Sequence, residues 1–262
     1  HNVKIQDTTQ ISRTFQSWKS VQCSNVVKLV DLFQTTKFND SSLCAIYDYY
    51  PLSSSLYEAH FVNFPLTPIT QEYLWSYLVQ LVNALNAVHS KGLAINILDW
   101  HKVIVTGSPG RIKITGCGPF DVLNFNANRT RDIYAEQQQN FVDLGLLLKD
   151  LSSKMSSIKS QAIDDLAVED KFKTVIKYLL DEQNKEKTIK DLSHLFYDKM
   201  LASIDSTLSM TDYTEGVLSR ELENGRLFRL ICKLNFIYGR MESRIDIDWS
   251  ESGGKFPIVL FY

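Results

Sequence analysis

The residues best placed for chemistry crowd into one stretch near the middle of the chain. Asp99, His101 and Lys102 stand together, and Gly116, Cys117, Gly118 and Asp121 follow after a short interval. Lys102 can supply a point charge to a phosphate. Asp99 and Asp121 are the carboxylates within reach for a magnesium ion. Other chemistries find less support. The four cysteines (Cys23, Cys44, Cys117 and Cys232) lie far apart with no CxxC, which argues against a zinc site and a disulfide framework and suits a reducing compartment. The first glycine is Gly92, so no Gly-rich phosphate loop exists in the first third.

The elements that must hold these residues read off the hydrophobic pattern. Ile11, Phe15 and Trp18 recur at helical spacing within Thr9 to Val21. Val26 to Phe33 and Ser42 to Tyr50 are β-branched or aromatic runs around the polar segment Thr35 to Asp40, predicting two adjacent antiparallel strands. Tyr73, Leu74, Tyr77, Leu78, Leu81, Val82, Leu85 and Val88 predict a long core helix, capped by Thr67 or Thr70, with Pro68 in its first turn and Gly92 at its end. Lys102 to Thr106 and Arg111 to Thr115 flank a Gly/Pro turn and predict a hairpin. Residues 116–135 read as loop, Asn140 to Leu151 as a buried helix, and 160–181, 188–208 and 213–236 as further helices before a β-like tail.

The chain has 262 residues, 44% hydrophobic and 11% aromatic, with a formal net charge of -2. That composition suits a packed core and excludes a global basic field for nucleic acid. The longest apolar runs are far shorter than a membrane span.

Helix, two strands, extended stretch, long helix, loop, hairpin, loop and buried helix is an order that resembles a protein kinase from its first helix onward. Ser24 to Leu29 resembles the strand entry after that helix. Ile46, Tyr47, Asp48, Tyr49, Tyr50 and Pro51 resemble the hinge, and His89, Ser90, Lys91 and Gly92 the lead-in to the catalytic loop. In that register Ile97 stands where the catalytic Asp belongs, Lys102 replaces the metal-binding Asn, and Gly116 opens the triplet that should begin with the magnesium-binding Asp. Phosphoryl transfer rests on positioning and on charge stabilisation by metal held on those groups. Asp99 and Asp121 fall outside the register, so no phosphotransfer is expected. Asn140 stands where kinases place an Asp that anchors the catalytic loop, five residues before Gly145; an ordinary helix N-terminal Asn is an equal reading.

At a finer grain the chain resembles the pseudokinase regulatory-subunit family of the PAN poly(A)-nuclease deadenylation complex. The carrying residues are Asp48 to Ser53, Gly92 to Ala94, Leu98 to Lys102, Gly116 to Gly118 and, above all, Glu221 to Leu230. The resemblance implies an α+β, protein-kinase-like pseudokinase with an incomplete N-lobe over residues 1–195, a coiled-coil dimerisation segment over 196–234, and the start of a small C-terminal knob over 235–262. It also implies that the glycine-loop strands precede His1 and that the knob is cut short after Tyr262.

For function, the resemblance implies a non-catalytic scaffold that binds the poly(A) exonuclease subunit and recruits it to messenger RNA tails in the cytoplasm, including P-bodies. It implies ATP bound without hydrolysis, magnesium being optional, by Asp48, Tyr49, Tyr50, Pro51, Leu52, Ser53, Ser54 and Ser55 of the hinge with His101 and Lys102. It implies a homodimer through Tyr197, Leu201, Ile204, Leu208, Leu218 and Leu222, whose spacing falters at Thr211 to Glu215, a break suited to a bent coil. Periodicity alone favours a core helix for that stretch. Arg226, Arg229 and Lys233 share a face and are candidates for docking the exonuclease, against the plainer reading of a solvated face. Further implied partners are poly(A) RNA, a poly(A)-binding protein through a missing N-terminal region, and GW-repeat silencing proteins in animal members. Trp18, Trp75, Trp100 and Trp249 read as core aromatics. The rival functions are an atypical kinase using Asp99 or Asp121 with magnesium, and a nucleotide sensor unrelated to RNA.

Overall fold

Hydrophobic spacing translates directly into the first layer. The computed structural model describes residues 9–39, 41–62, 68–107, 110–125, 131–155, 162–184 and 186–241. Helix α1 (Thr9–Lys19) buries Ile11 and Trp18 and packs on strand β1 (Leu29–Thr35). That strand pairs antiparallel with β2 (Ser42–Tyr47), with a bulge between Leu29 and Asp31.

A second sheet holds β3 (Ser54–Ser55), β4 (Val103–Gly107) and β5 (Arg111–Ile114), in the order β3-β4-β5 and antiparallel throughout. β4 and β5 are the expected hairpin. β3 was not expected, and it turns the end of the hinge into a third strand. Residues 25–27 join the two layers: Val27 N–H donates to the Ile114 carbonyl, and Ile114 N–H donates to that of Asn25. The buried Asn25 amide donates to the Ile112 carbonyl and to Gln80, and accepts from Asn83.

Helix α2 (Gln71–His89) is the central rod, with Leu74, Leu78, Leu81, Leu85 and Val88 fully buried. Thr70 caps it by accepting from Tyr73 N–H. Pro68 therefore lies before the helix and outside its first turn, contrary to expectation, because the cap sits two residues later. The helix ends in a Schellman pair, Leu93 N–H to the Val88 carbonyl and Gly92 N–H to that of His89, with Gly92 at φ +67°. Only a residue free of the Cβ clash takes that turn cheaply.

The stretch read as loop over 116–135 contains helix α3 (Pro119–Leu123) and the start of α4 (Ile133–Met155). α3 is a short helix with Pro at its N-terminus, too brief to show a period. Helix α5 (Asp170–Leu180) starts ten residues later than the stretch read from 160, since the residues just before it are turns. α6 (Ile189–Leu195) ends at Phe196, whose buried ring and non-helical backbone interrupt the expected 188–208 helix.

Helix α7 (Tyr197–Met241) then runs 45 residues without a break. The expected interruption at Thr211 to Glu215 exists only in the apolar pattern. Within its polar stretch the Thr211 and Thr214 hydroxyls donate back to the Thr207 and Met210 carbonyls, which keeps both polar side chains satisfied against the helix. The chain divides into two compact units, His1–Ser203 and Ile204–Tyr262. The β-like tail, Trp249 and most of the expected knob lie outside the described residues. Among the described residues no helix is long and apolar enough to cross a membrane.

Candidate functional site

The degenerate loop is built on backbone. After the Gly92 turn, residues 93–98 lead to Asp99, whose carboxylate accepts from the N–H groups of His101 and Lys102. Asp99 therefore closes a turn that launches β4. Asn140 of α4 is 1% exposed, accepts from Ile95 N–H and donates back to the Ile95 carbonyl. The reading of Asn140 as an ordinary helix N-terminal residue is thus overturned: it still grips the loop, with an amide doing both halves of the work. His89 also meets Asn140, at 3.1 Å, and burial lowers its pKa while that bond opposes the shift.

Ile97, Lys102 and Gly116 stand together around a cavity of about 10 Å³, lined also by Ile95, Asn96, Thr115, Cys117 and Phe120. Among the described residues no group of three or more His, Cys, Asp or Glu side chains is arranged to hold a metal. Gly116 has φ +77°, and a Cβ there would lie 3.6 Å from Lys102 Nζ, so the ammonium sits over the glycine. Lys102 makes no ion pair among the described residues. The buried Cys117 thiol is pushed up to about 12 by burial, and by Asp121, against the pull of Lys102.

Asp121 is 6% exposed and fully engaged. It accepts from Trp18 Nε1 at 2.5 Å and Asn96 Nδ2 at 2.6 Å, and pairs with Arg131 at 2.9 Å. Asp121 is taken up by its three partners, Asp99 closes its turn through Oδ1, and among the described residues neither joins a group of three or more potential metal ligands, which is what the atypical-kinase reading would need. Tyr47 Oη donates to the Cys117 carbonyl at 2.8 Å, and burial holds that phenol well above its usual pKa. Sequence reading had singled out neither Tyr47 nor Arg131 as a site residue.

The hinge is less extended than expected. Asp48 N–H donates to the Lys28 carbonyl, after which Tyr50 to Ser53 form a turn closed by two bonds to the Tyr50 carbonyl. Leu52 has φ +59° and is fully exposed, and Tyr49 is 85% exposed. Tyr50 lies under the Lys113 ammonium. Ser54 and Ser55 pair with Val105 and Ile104, which brings β3 alongside the strand that follows Lys102. His101 instead turns its ring to Tyr57, 4.6 Å away, within an aromatic group that includes Trp100 and Phe61. Trp18 and Trp75 are buried, whereas Trp100 is half-buried.

Every expected dimer residue on α7 is exposed, from 49% at Leu201 to 67% at Leu222. That corrects the reading from periodicity alone, which made this stretch a core helix. Arg226 pairs with Glu223, and Arg226, Arg229 and Lys233 are all solvent-facing.

The chain is 31% identical to the Drosophila melanogaster PAN3 pseudokinase structure, with all of this chain and 70% of that one covered and a TM-score of 0.85. It belongs to the PAN3 pseudokinase family. A structure of Neurospora crassa PAN2 (WD40-CS1) with PAN3 (pseudokinase and C-term) matches over 98% of this chain and 65% of that one, at 29% identity and a TM-score of 0.82. The model of the Pan3 C-terminal knob domain matches residues 189–262, thereby taking in α6 and α7. Among curated proteins, the PAN3 subunits of the PAN2-PAN3 deadenylation complex from Eremothecium gossypii and Kluyveromyces lactis are 53% and 51% identical over the whole chain. The chain spans 42% and 40% of their lengths.

Proposed function

We propose that this chain is the scaffold portion of a non-catalytic regulatory subunit of a poly(A)-specific deadenylase. It binds the exonuclease subunit and brings it to messenger RNA tails in the cytoplasm. The observation that carries this reading is α7, a long helix with large apolar side chains open to solvent along its length. Exposed apolar area on that scale marks a protein contact. The names of the PAN3 relatives, and the PAN2 complex of the Neurospora protein, supply the partner.

In this reading Tyr197, Leu201, Ile204, Leu208, Leu218 and Leu222 form the homodimer seam, and Arg226, Arg229 and Lys233 meet the exonuclease. The test uses the full-length protein expressed with its exonuclease. Leu201→Asp with Leu208→Asp should halve the mass seen by light scattering, and Arg226→Glu with Arg229→Glu should lose the exonuclease on co-purification. Tail shortening left intact by both pairs would overturn the reading.

A nucleotide belongs to the same proposal. The fit rests on Lys102, a cation without an ion-pair partner among the described residues, set over Gly116 at the edge of the hinge. The cavity beneath it is too small for a triphosphate, so phosphates would meet Lys102 from its outer side. When bound, ATP would supply a ligand that steadies the fold, while Lys102 and the hinge backbone hold it.

A further inference from the structure

In a catalytic kinase two charged links align the lobes: a Lys–Glu ion pair to the first helix, and an Asp-bound metal at the loop. Here α1 reads TQISRTFQSWK, with no carboxylate from Thr9 to Lys19, and Gly116 has no side chain with which to hold a metal. Yet α1 is not left loose. Trp18, at its C-terminal end, is 4% exposed and donates its indole N–H to Asp121 of α3 at 2.5 Å. The same carboxylate accepts from Asn96 on the degenerate loop and pairs with Arg131. Arg131 in turn bonds Asn96 Oδ1 and grips both oxygens of Glu136 in α4. The carboxylate is buried among donors from α1 and the loop, with one cation to balance its charge, so every strong bond it makes is directional and short.

The missing side chain of Gly118 also leaves room for β1 and α1 at this point. Gly118, at φ +108°, lies so close to Leu29 and Trp18 that a Cβ would stand 3.1 Å from the leucine. α1 packs on β1 and on α3, and Asp121 is the polar bolt through the second of those contacts.

The structure assigns Asp121 as a positioning residue that clamps α1 onto the degenerate loop, replacing both missing links with one protein-only network. The alignment that catalytic kinases obtain from an ion pair and a metal is therefore built in, independent of any ligand. The network has two separable ends: Trp18 ties it to α1, and Arg131 with Asn96 ties it to the loop and α4.

Hydrogen exchange on the full-length protein without nucleotide tests this. In Asp121→Asn, which keeps shape but loses the charge and an acceptor, amides of Thr14–Lys19 and Leu93–Leu98 should exchange at least ten times faster, with α2 and α5 unchanged. Trp18→Phe, which removes the indole donor together with part of a buried ring, should free Thr14–Lys19 alone. Arg131→Gln should free Leu93–Leu98 and the first turn of α4 while α1 stays protected. Acceleration spread evenly over all helices in these variants, or no change at Thr14–Lys19 in Trp18→Phe, would overturn the assignment. If Asp121→Asn cannot be purified, the opposite patterns expected of Trp18→Phe and Arg131→Gln decide the matter.

Discussion

Asn140 holds Ile95 by both backbone groups, accepting its N–H at 2.9 Å and donating to its carbonyl at 2.5 Å. One side chain thus satisfies a buried donor and a buried acceptor of the degenerate loop, and a carboxylate could serve only the first. Asn140→Asp should therefore destabilise the fold, by roughly 1–3 kcal/mol, because it sets a carboxylate against the Ile95 carbonyl. Asn140→Ala, which also orphans His89, should cost about as much or more. Urea unfolding followed by tryptophan fluorescence measures both. An Asp variant as stable as the parent would refute this account of the amide.

Helices α4 and α5 meet at Gly145. A Cβ there would stand 2.9 Å from Leu179 Cβ and from Leu180 Cδ2. Alanine is the better helix former by about 1 kcal/mol, whereas overpacking a tight contact costs about 1–3 kcal/mol. Leu179 is fully buried and its Cβ cannot move without α5, so the clash should win. Gly145→Ala is expected to lower the melting temperature in calorimetry, and a rise would show that α5 shifts freely.

How much of this was legible in the sequence depended on how local the signal was. α2 was plain, because its buried residues repeat every three or four positions and Thr70 and Gly92 mark its ends. The assignment of Ile97, Lys102 and Gly116 to kinase catalytic positions rests on register alone. β3 was not legible, since Ser54 and Ser55 carry no β-branched signal and become a strand only by pairing with Val105 and Ile104. The continuity of α7 was hidden by polar residues whose hydroxyls bond back along the helix. The work of Asp121 was hidden most deeply. Its partner Trp18 lies 103 residues away, and Arg131 fell in a stretch that read as loop.

Lys102 allows a sharp test of the nucleotide proposal. With no group of carboxylates set for a metal among the described residues, ATP affinity in the full-length protein should be unchanged by a chelator. Lys102→Glu replaces an attraction with a repulsion, and loss of one charged hydrogen bond alone is about 1.5–3 kcal/mol. Calorimetric binding should weaken by at least about tenfold. An affinity that collapses with chelator but survives Lys102→Glu would move the phosphate contact elsewhere.

His89 makes the fold sensitive to acid in a definite window. Burial lowers its pKa below the usual 6.5, and the bond to Asn140 offsets only part of the shift. The unfolded chain then binds the proton more readily than the folded one, so stability rises with pH across the interval between the two values. It should be fully present above the unfolded value near 6.5 and fall as pH drops toward the lower folded value. Asp143 and Asp150, whose pKa values burial raises, act in the opposite sense and at lower pH, so the total curve alone does not isolate the histidine. The comparison with His89→Gln does, because the amide can still donate to Asn140 yet cannot titrate. Urea midpoints of the two proteins, taken between pH 7.5 and 5, should converge as pH falls or cross in favour of the variant. A constant gap across that range would mean that His89 titrates alike in the folded and the unfolded chain.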